Sequence, residues 1–271
     1  MIKRLILVIL TSSLILTGCQ IVPKNKVDFT TRQSLELKRF SLSKTFVLED
    51  IRLVGLGDSL TKGVGDERKK GGFVGRLSTE LTSFQGIRTV DIENEAKRGK
   101  RSDQLLSELQ SGEFTESLEN ADLIVMTIGG NDIMRVIKKD FFELSVITFQ
   151  KELLQFRKRY SEILFEIRMI NSDSPLILLG LYNPFTILTD EENEFDQILI
   201  NWNQAILASA QSDINACFVP VDDLFNSNDN MVYHTDFFHP NSKGYDQMTN
   251  RILESLESCG LNQLTKGEME F

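Results

Sequence analysis

The sequence predicts an α/β domain with a parallel β-sheet covered by helices on both faces. Short, nearly continuous runs of β-branched and aliphatic residues recur along the chain, and longer segments with helical periodicity separate them. Strands separated by helices form right-handed crossovers and therefore a parallel sheet. Ligands bind such sheets at the carboxyl ends of the strands, so the residues that follow each predicted strand are candidates for a functional site.

The predicted elements follow one another in alternation. Five strands are predicted at Ile51–Leu56, Ile87–Ile92, Leu123–Ile128, Leu176–Leu181 and Cys217–Val221. The main helices are predicted at Val74–Phe84, Ser102–Leu109, Phe149–Ile170, Glu192–Ala210 and Ser242–Leu256. In the longest of these helices, apolar residues from Leu153 to Ile170, Leu154 among them, form one predicted stripe. The step from Asn183 to Pro184 is expected to close the fourth strand.

The N-terminus has the pattern of an export signal. Lys3 and Arg4 precede the apolar stretch Leu5–Leu16, which is shorter than the roughly 20 residues that a membrane crossing needs. The following Leu16-Thr17-Gly18-Cys19 resembles the lipobox of bacterial lipoproteins. We therefore predict a signal peptide over residues 1–18 and a lipidated Cys19, which anchors a protein without spanning the bilayer. An ordinary cleaved signal with a free cysteine is the alternative.

Residues 19–44 differ in charge from the rest of the chain. They carry six basic and two acidic residues, which predicts a stalk that either lies against anionic lipid headgroups or is a solvated linker. Eight of the 30 Lys and Arg residues and two of the 39 Asp and Glu residues precede Thr45. The rest of the chain from Thr45 onward, here called the body, therefore has a net charge near −15. This charge argues against a nucleic-acid partner, which would need a basic face. We predict one domain over residues 45–260 and a C-terminal tail over 261–271.

Two cysteines remain besides Cys19. Cys217 lies in an apolar run and is predicted to be a buried thiol. A disulfide between Cys217 and Cys259 is compatible with export, but their spacing does not establish it.

The glycine-rich segment after the first strand does not fit a nucleotide site. A dinucleotide fingerprint lacks its third glycine, because Leu60 stands there, and no Gly-Lys-Ser/Thr follows to make a phosphate loop. The Gly-x-Ser-x-Gly elbow is excluded because Thr61 replaces its second glycine. No cluster of His, Cys or carboxylates has metal-ligand spacing, so we expect neither a metal nor a cofactor.

Four short polar blocks follow predicted strands. They are Gly57-Asp58-Ser59-Leu60 with Gly63 and Gly65, Asn94-Glu95-Ala96-Lys97-Arg98-Gly99, Gly129-Gly130-Asn131-Asp132, and Asp236-Phe237-Phe238-His239-Pro240. In this order they resemble the blocks of the SGNH or GDSL-type hydrolase family, and the resemblance covers the whole body. It implies a three-layer α/β/α, flavodoxin-like fold with a five-stranded, mostly parallel sheet. It also implies a serine ester hydrolase.

Elementary chemistry gives these residues compatible roles. A serine hydroxyl such as that of Ser59 is a poor nucleophile at neutral pH and needs an adjacent base. An imidazole such as that of His239 titrates near neutral pH, so it can accept the serine proton and return it to the leaving group. Asp236, three residues earlier, would orient the ring. By resemblance, the oxyanion hole comprises the backbone N–H groups of Ser59 and Gly99 and the side-chain amide of Asn131.

Each of these residues also has a purely structural interpretation. Ser59, Asn131 and Asp236 could cap helices or turns, and Gly99 could serve only a turn. The second histidine, His234, is predicted to be a structural or rim residue. The cluster Lys97, Arg98, Lys100 and Arg101 is predicted to be a solvated face, with attraction of anionic substrates as the alternative.

The sequence as a whole therefore predicts a lipid-anchored, extracytoplasmic serine esterase that forms an acyl-enzyme on Ser59. Its lipobox and composition resemble the YpmR-like lipoproteins of low-GC Gram-positive bacteria. The expected substrate is an ester of a lipid or of an acylated glycan, and the chain is expected to act as a monomer at the cell membrane. Two alternatives stay open: a solute-binding lipoprotein, and an acetyl esterase or transferase acting on cell-wall polysaccharide.

Overall fold

The computed structural model describes residues 48–84, 86–139, 145–187, 194–225 and 231–260. The predicted signal peptide, the lipidated Cys19, the stalk and the C-terminal tail lie outside these residues, so those predictions stay predictions. Within the described ranges, no helix is both long enough and apolar enough to cross a membrane.

The sheet contains five parallel strands. They are β1 (Glu49–Gly57), β2 (Ile87–Asn94), β3 (Leu123–Thr127), β4 (Leu176–Leu179) and β5 (Ala216–Val219). Every neighbouring pair is parallel, and the strand order is β2-β1-β3-β4-β5. This is the order of a flavodoxin-like doubly wound sheet, with its switch point between β1 and β3. The predicted fold class is confirmed.

Helices connect the strands in the predicted alternation. They are α1 (Ser59–Lys62), α2 (Gly72–Leu81), α3 (Ser102–Gln110), α4 (Thr115–Glu119), α5 (Gly130–Lys139), α6 (Val146–Ile170), α7 (Glu194–Gln211) and α8 (Ser242–Cys259). Two short 3₁₀ helices span Pro184–Ile187 and Asp222–Phe225. Strand β4 ends at Leu179 rather than at the predicted Asn183-Pro184 step, and Pro184 instead begins the first 3₁₀ helix.

Side chains of the central strands alternate between two cores. On β3, Ile124 and Met126 face one core, and Leu123 and Val125 face the other. The first core is closed by helices α3 to α7, and the second by α2 and α8. A period of two along strands that are apolar on both faces is what a sheet between two helical layers requires.

Two details of the predicted burial are wrong. Strand β2 is not covered on both faces: it pairs only with β1 at the sheet edge, and Thr89, Asp91 and Ile92 are exposed. Leu154 is not part of the buried stripe of α6, because its side chain is 64% exposed on the face opposite the sheet. Periodicity at three- and four-residue spacing allowed Leu153 and Leu154 equally, and only packing of the helix selects Leu153.

A disulfide joins Cys217 on β5 to Cys259 at the end of α8, at a sequence separation of 42 and with their Cα atoms 5.9 Å apart. The expected free thiol at Cys217 is therefore wrong, although its burial is as predicted. The bond is possible because the last turn of α8 packs against β5, which sequence spacing does not reveal.

Candidate active site

The turn after β1 presents Ser59 at the start of helix α1. Gly57 has a φ of +108°, and a Cβ there would lie 1.9 Å from the carbonyl oxygen of Thr127, so only glycine fits this approach of β1 to β3. Asp58 caps the helix, because its Oδ1 accepts a hydrogen bond from the Leu60 N–H at 3.0 Å. The first block thus turns the chain sharply and leaves the Ser59 side chain at the carboxyl edge of the sheet.

Asp58 is enclosed and braces this turn. Its Oδ1 also accepts a hydrogen bond from the Thr127 hydroxyl at 2.7 Å, and that hydroxyl lies 2.7 Å from the hydroxyl of Thr61. Burial raises the pKa of Asp58 to about 7, against the opposing effect of these hydrogen bonds. Asp58 therefore joins β3 to α1 and does not face the reaction site as a carboxylate in solvent.

The fourth block forms a tight loop between β5 and α8. An antiparallel bridge between Tyr233 and Pro240 closes its base, and Phe237 takes a φ of +54° at its tip. The block does not directly follow a strand as expected, because β5 ends at Val219 and a 3₁₀ helix intervenes. The loop folds back toward α1, which brings His239 and Asp236 to the first block.

The loop places serine, imidazole and carboxylate in one line of hydrogen bonds. His239 Nε2 lies 2.9 Å from Ser59 Oγ, and His239 Nδ1 lies 2.6 Å from Asp236 Oδ2. Ser59 and His239 are 180 residues apart in sequence and both are buried. A nucleophile within reach of a base, which is itself oriented by a third group, is the arrangement of serine hydrolases.

Asp236 is held in its charged form. Burial alone would raise the pKa of Asp236, but hydrogen bonds from the N–H groups of His239 and Phe238 and from the His239 ring lower it to about 2. The two N–H groups donate to Oδ1 at 3.0 and 3.1 Å, which leaves Oδ2 for the ring. The carboxylate therefore fixes which ring nitrogen of His239 faces Ser59.

Two of the three predicted oxyanion donors, Ser59 and Asn131, line one cavity. Asn131, like Ser59, borders the cavity above the sheet, and one N–H of its amide donates to the Lys100 carbonyl at 3.0 Å. An amide has two such hydrogens, so the second is left for a ligand. Asn131 is the second residue of α5, and neither this geometry nor the N-terminal position of Ser59 in α1 contradicts the predicted roles.

Gly99 lies between two segments that contact the site. Two residues before it, the Lys97 N–H donates to the Gly57 carbonyl at 3.0 Å, and the residue after it, Lys100, holds the Asn131 amide. Gly99 has a φ of +80°, and a Cβ there would meet no atom within 4 Å. A glycine is therefore favoured by the backbone conformation rather than by crowding, and the space beside it is open.

His234 and the basic cluster lie outside the hydrogen-bonded line of Ser59, His239 and Asp236. His234 uses its ring nitrogens on Glu67 and Thr235, each at 3.3 Å, at the edge of the loop. The basic cluster is not a uniformly solvated face, because Lys100 is buried and paired with Glu108, and its ammonium lies 4.9 Å from the Phe114 ring centroid.

The other members of that basic cluster differ in their partners. Lys97 pairs with two glutamates and Arg101 with Asp103. Arg98 is exposed and has no ion pair among the described residues. Three of the four charges are thus neutralised locally, which weakens the alternative that the cluster attracts anionic substrates.

Two polar clusters that the sequence patterns do not reveal flank the site. The first, here the base-side clamp, comprises Asp66, Arg76, Ser242 and Asp246. Arg76 binds both oxygens of Asp66, at 2.7 and 2.9 Å, and the Ser242 hydroxyl donates to Asp66 at 2.8 Å. The clamp joins the loop after α1 to the start of α8, three residues after His239. Its signal in the sequence was an arginine at a core position of a predicted helix.

The second cluster, here the oxyanion-side network, comprises Ser102, Asp132, Glu152 and Arg159. Asp132 accepts hydrogen bonds from the N–H and the hydroxyl of Ser102, at 2.9 and 2.6 Å, and from Arg159 at 3.1 Å. It joins the starts of α3 and α5, which carry the segments of Gly99 and Asn131. The acidic residue that ends Gly-Gly-Asn-Asp was its only sequence signal.

Within the described ranges, no three His, Cys, Asp or Glu residues come close enough together to hold a metal ion.

Known proteins are similar to this chain in sequence. A sequence model of the GDSL-like lipase/acylhydrolase family matches residues 56–247. The chain is 36% identical to the YpmR protein of Bacillus subtilis over 220 residues, which cover 80% of this chain and 86% of that protein. It is 27% identical to the spore germination lipase LipC of Bacillus licheniformis over 218 residues, which cover 79% of this chain and 98% of that protein.

A solved structure is also similar. The lipase Lip_vut3 from a goat rumen metagenome superimposes with a TM-score of 0.64 and is 26% identical, with 79% of this chain and 99% of that one covered. The family match includes the blocks of Ser59, Gly99 and Asn131 and the loop of Asp236 and His239, which the fold brings to one edge of the sheet. The chain therefore belongs to the GDSL-like lipase/acylhydrolase family and is a serine ester hydrolase.

Proposed function

We propose that this chain is a lipid-anchored, extracytoplasmic esterase that cleaves carboxylic ester or thioester bonds through an acyl-enzyme on Ser59. The observation that carries the mechanism is the continuous hydrogen-bonded line from Ser59 Oγ through His239 to Asp236, at 2.9 and 2.6 Å. These residues come from separate parts of the chain, and together they supply the nucleophile, the base and the orienting carboxylate that acyl transfer requires.

The steps follow from the positions of these atoms. Ser59 Oγ attacks the carbonyl carbon while its proton passes to His239 Nε2. The imidazolium is stabilised by Asp236, whose low pKa keeps it charged. His239 then gives the proton to the departing alcohol or thiol, and the acyl group stays on Ser59. A water molecule, deprotonated by the same nitrogen, releases the acid and restores the serine.

The oxyanion of each tetrahedral intermediate requires donors that are already in place. The N–H groups of Ser59 and Gly99 donate no hydrogen bond to other described residues, and Asn131 has a second amide hydrogen. We assign these three groups to the oxyanion hole. Loss of one such donor typically removes about 3–4 kcal/mol of transition-state stabilisation.

The test of the mechanism uses p-nitrophenyl esters and the mature body of the protein. Ser59→Ala should lower kcat by about 10⁴- to 10⁶-fold, because the nucleophile is lost. The matched control is Ser111→Ala, the same change at an exposed serine outside the site, which should leave kcat unaltered. Undiminished turnover by Ser59→Ala would refute the mechanism, and no turnover of any ester by the wild type would favour the solute-binding alternative.

The proposed location rests on two features. The Leu16-Thr17-Gly18-Cys19 segment has the residues of a lipobox, and a disulfide such as Cys217–Cys259 is typical of proteins outside the reducing cytosol. Cys19→Ser should therefore move the protein from the membrane fraction to the soluble exported or unprocessed fraction, while Cys259→Ser should leave it in the membrane fraction. Equal membrane association of the wild type and Cys19→Ser would contradict lipid anchoring.

A further inference from the structure

The cavity beside Ser59 has an apolar lining. Besides Ser59, Asp58 and Asn131, most of its walls come from aliphatic and aromatic side chains, among them Ile133, Met134, Leu181, Phe195, Leu199 and Phe238. We call this cavity the acyl pocket. The hydroxyl of Tyr182, another residue of the wall, is already used, because it donates to the Phe238 carbonyl at 2.7 Å.

This lining distinguishes between the two substrate classes that the sequence left open. A sugar buried here would leave its hydroxyls without partners, and an unpaired buried hydroxyl is costly. A hydrocarbon chain has no such requirement and gains from leaving water. The carbonyl of an ester would meet Ser59 and Asn131, and its acyl chain would extend into the apolar part of the pocket.

The acyl pocket is small, and the aromatic ring of Phe195 forms part of its wall. Its volume is about 40 Å³, and a cavity needs roughly 10–15 Å³ to hold one water-sized group. The pocket therefore has room for a few such groups, which corresponds to a short chain. Phe195, at the start of α7, contacts Phe185 and Phe149 edge-to-face, with ring centroids 5.1 and 6.3 Å away.

A second cavity is lined by Phe149, which contacts that ring. The α6–α7 cavity has a volume of about 150 Å³ and is lined by Phe149, Leu153, Gln197, Ile198 and Trp202, with a few further residues of the same helices. Phe195 borders the acyl pocket and its ring contacts Phe149, which borders the α6–α7 cavity. Similarly, the consecutive residues Ile198 and Leu199 line one cavity each. The Phe149–Phe195 contact thus links the linings of two apolar cavities.

We propose that the acyl pocket binds a short apolar acyl chain and that the ring of Phe195 sets its maximum length by closing the pocket from the α6–α7 cavity. This proposal rests on the proposed acyl-enzyme at Ser59, because the ester linkage fixes where the chain begins. Phe195 is a specificity-determining residue and takes no part in the bond-making steps.

The experiment compares kcat/KM for p-nitrophenyl acetate, butyrate, octanoate and decanoate. The wild type should prefer acetate and butyrate. Phe195→Ala joins the two cavities and should raise the octanoate-to-butyrate ratio of kcat/KM by about tenfold or more, since each methylene in an apolar pocket is worth at least that factor. Phe195→Leu removes less of the side chain and should give a smaller shift, and it provides the same readout if the alanine variant folds poorly.

A second substitution tests where the longer chain goes. Gln197 is exposed and lines the α6–α7 cavity but not the described lining of the acyl pocket, so Gln197→Trp should fill the α6–α7 cavity from the surface without disturbing the core. In the Phe195→Ala background it should cancel the gain for octanoate and decanoate and leave butyrate unaffected. By itself, Gln197→Trp should not alter the wild-type profile.

The outcomes separate this proposal from the proposed function. A wild type that already prefers octanoate or decanoate would overturn the role of Phe195, as would folded Phe195 variants with an unchanged chain-length profile. In both cases the esterase assignment would stand. Failure of the wild type to hydrolyse any of the four esters would refute the esterase assignment and the acyl pocket together.

Discussion

The base-side clamp and the oxyanion-side network solve similar problems with different electrostatics. Each buries an aspartate beside the site: the clamp joins a loop to a helix start, and the network joins the starts of two helices. In the clamp, burial alone would raise the pKa of Asp66. The bidentate contact with Arg76 and the hydrogen bond from the Ser242 hydroxyl instead hold that pKa well below its usual value. In the network, burial raises the pKa of Asp132 in spite of its bonds from Ser102 and the charge of Arg159.

The difference between the two pKa shifts shows which cluster is stabilised by charge and which by hydrogen-bond geometry. A carboxylate with a lowered pKa is stabilised by its ion pair, so the clamp needs Arg76 to remain charged and paired. A carboxylate with a raised pKa is held in place although its charge is costly there, so the network depends on its hydrogen-bond geometry. The first cluster supports the loop of His239, and the second supports the segments of Gly99 and Asn131.

The largest effect is expected from breaking the clamp. Arg76→Met keeps most of the side-chain volume but leaves Asp66 buried without its partner, which should lower the free energy of unfolding by about 3 kcal/mol. Urea denaturation measures this loss. The matched control is Arg88→Met, the same change in the exposed pair with Asp50 on the edge of the sheet, which should cost much less. Equal losses for the two variants would show that the clamp does not depend on burial.

A smaller loss of stability is expected from the network, together with a specific loss of activity. Asp132→Asn keeps the shape and one acceptor oxygen but replaces the other oxygen by an amide that cannot accept a hydrogen bond from Ser102, which should cost about 1–2 kcal/mol. Because Asp132 joins the two helix starts next to the proposed oxyanion donors, kcat should fall while KM changes little. Kinetics with p-nitrophenyl butyrate measure both. Asp103→Asn, on the same helix start but paired with the partly exposed Arg101, should leave kcat unchanged; a matching fall would refute the positioning role.

The smallest and most discriminating effect is a difference in pH dependence. The pKa of Asp66 is lowered from 3.8, so its contribution to stability is complete above about pH 4 and is lost as the pH falls through the folded-state pKa. The pKa of Asp132 is raised from 3.8, so its contribution is complete below about pH 4 and is lost as the pH rises through the folded-state pKa.

These opposite signs can be measured directly. From about pH 6 to about pH 3, the stability advantage of the wild type over Asp66→Asn should shrink, and its advantage over Asp132→Asn should grow. Denaturation curves at each pH provide the two differences. If both differences moved in the same direction, the assignment of one cluster to charge and the other to geometry would be wrong.

Much of the fold could be predicted from the sequence because apolar runs are local signals. The five strands lie within a few residues of their predicted positions, and the helices Ser102–Gln110 and Ser242–Cys259 begin at the predicted residue. The errors occurred where local pattern is ambiguous. Leu154 has the same periodicity as its buried neighbour, and Ile92 the same apolarity as residues of central strands, yet both are exposed.

The polar clusters could not be predicted because their members are far apart in the chain. Asp66 and Ser242 are 176 residues apart, and Ser102 and Arg159 are 57 apart. Nothing in either neighbourhood identifies the partner, since a buried arginine is recognisable only when its carboxylate is known. The disulfide was left open for the same reason.

The sequence by itself determined the chemistry of this protein: the nucleophile block at Ser59, the loop of Asp236 and His239, and the family to which they belong. These features depend on residue type and on the order of neighbouring residues, so they can be identified from the sequence alone. Only the tertiary structure decided the rest. It brought Ser59 within 2.9 Å of His239, paired three of the four charges of the basic cluster, and brought Phe195 into contact with Phe149, because distances and partners across 180 residues are fixed by packing of the sheet and its helices.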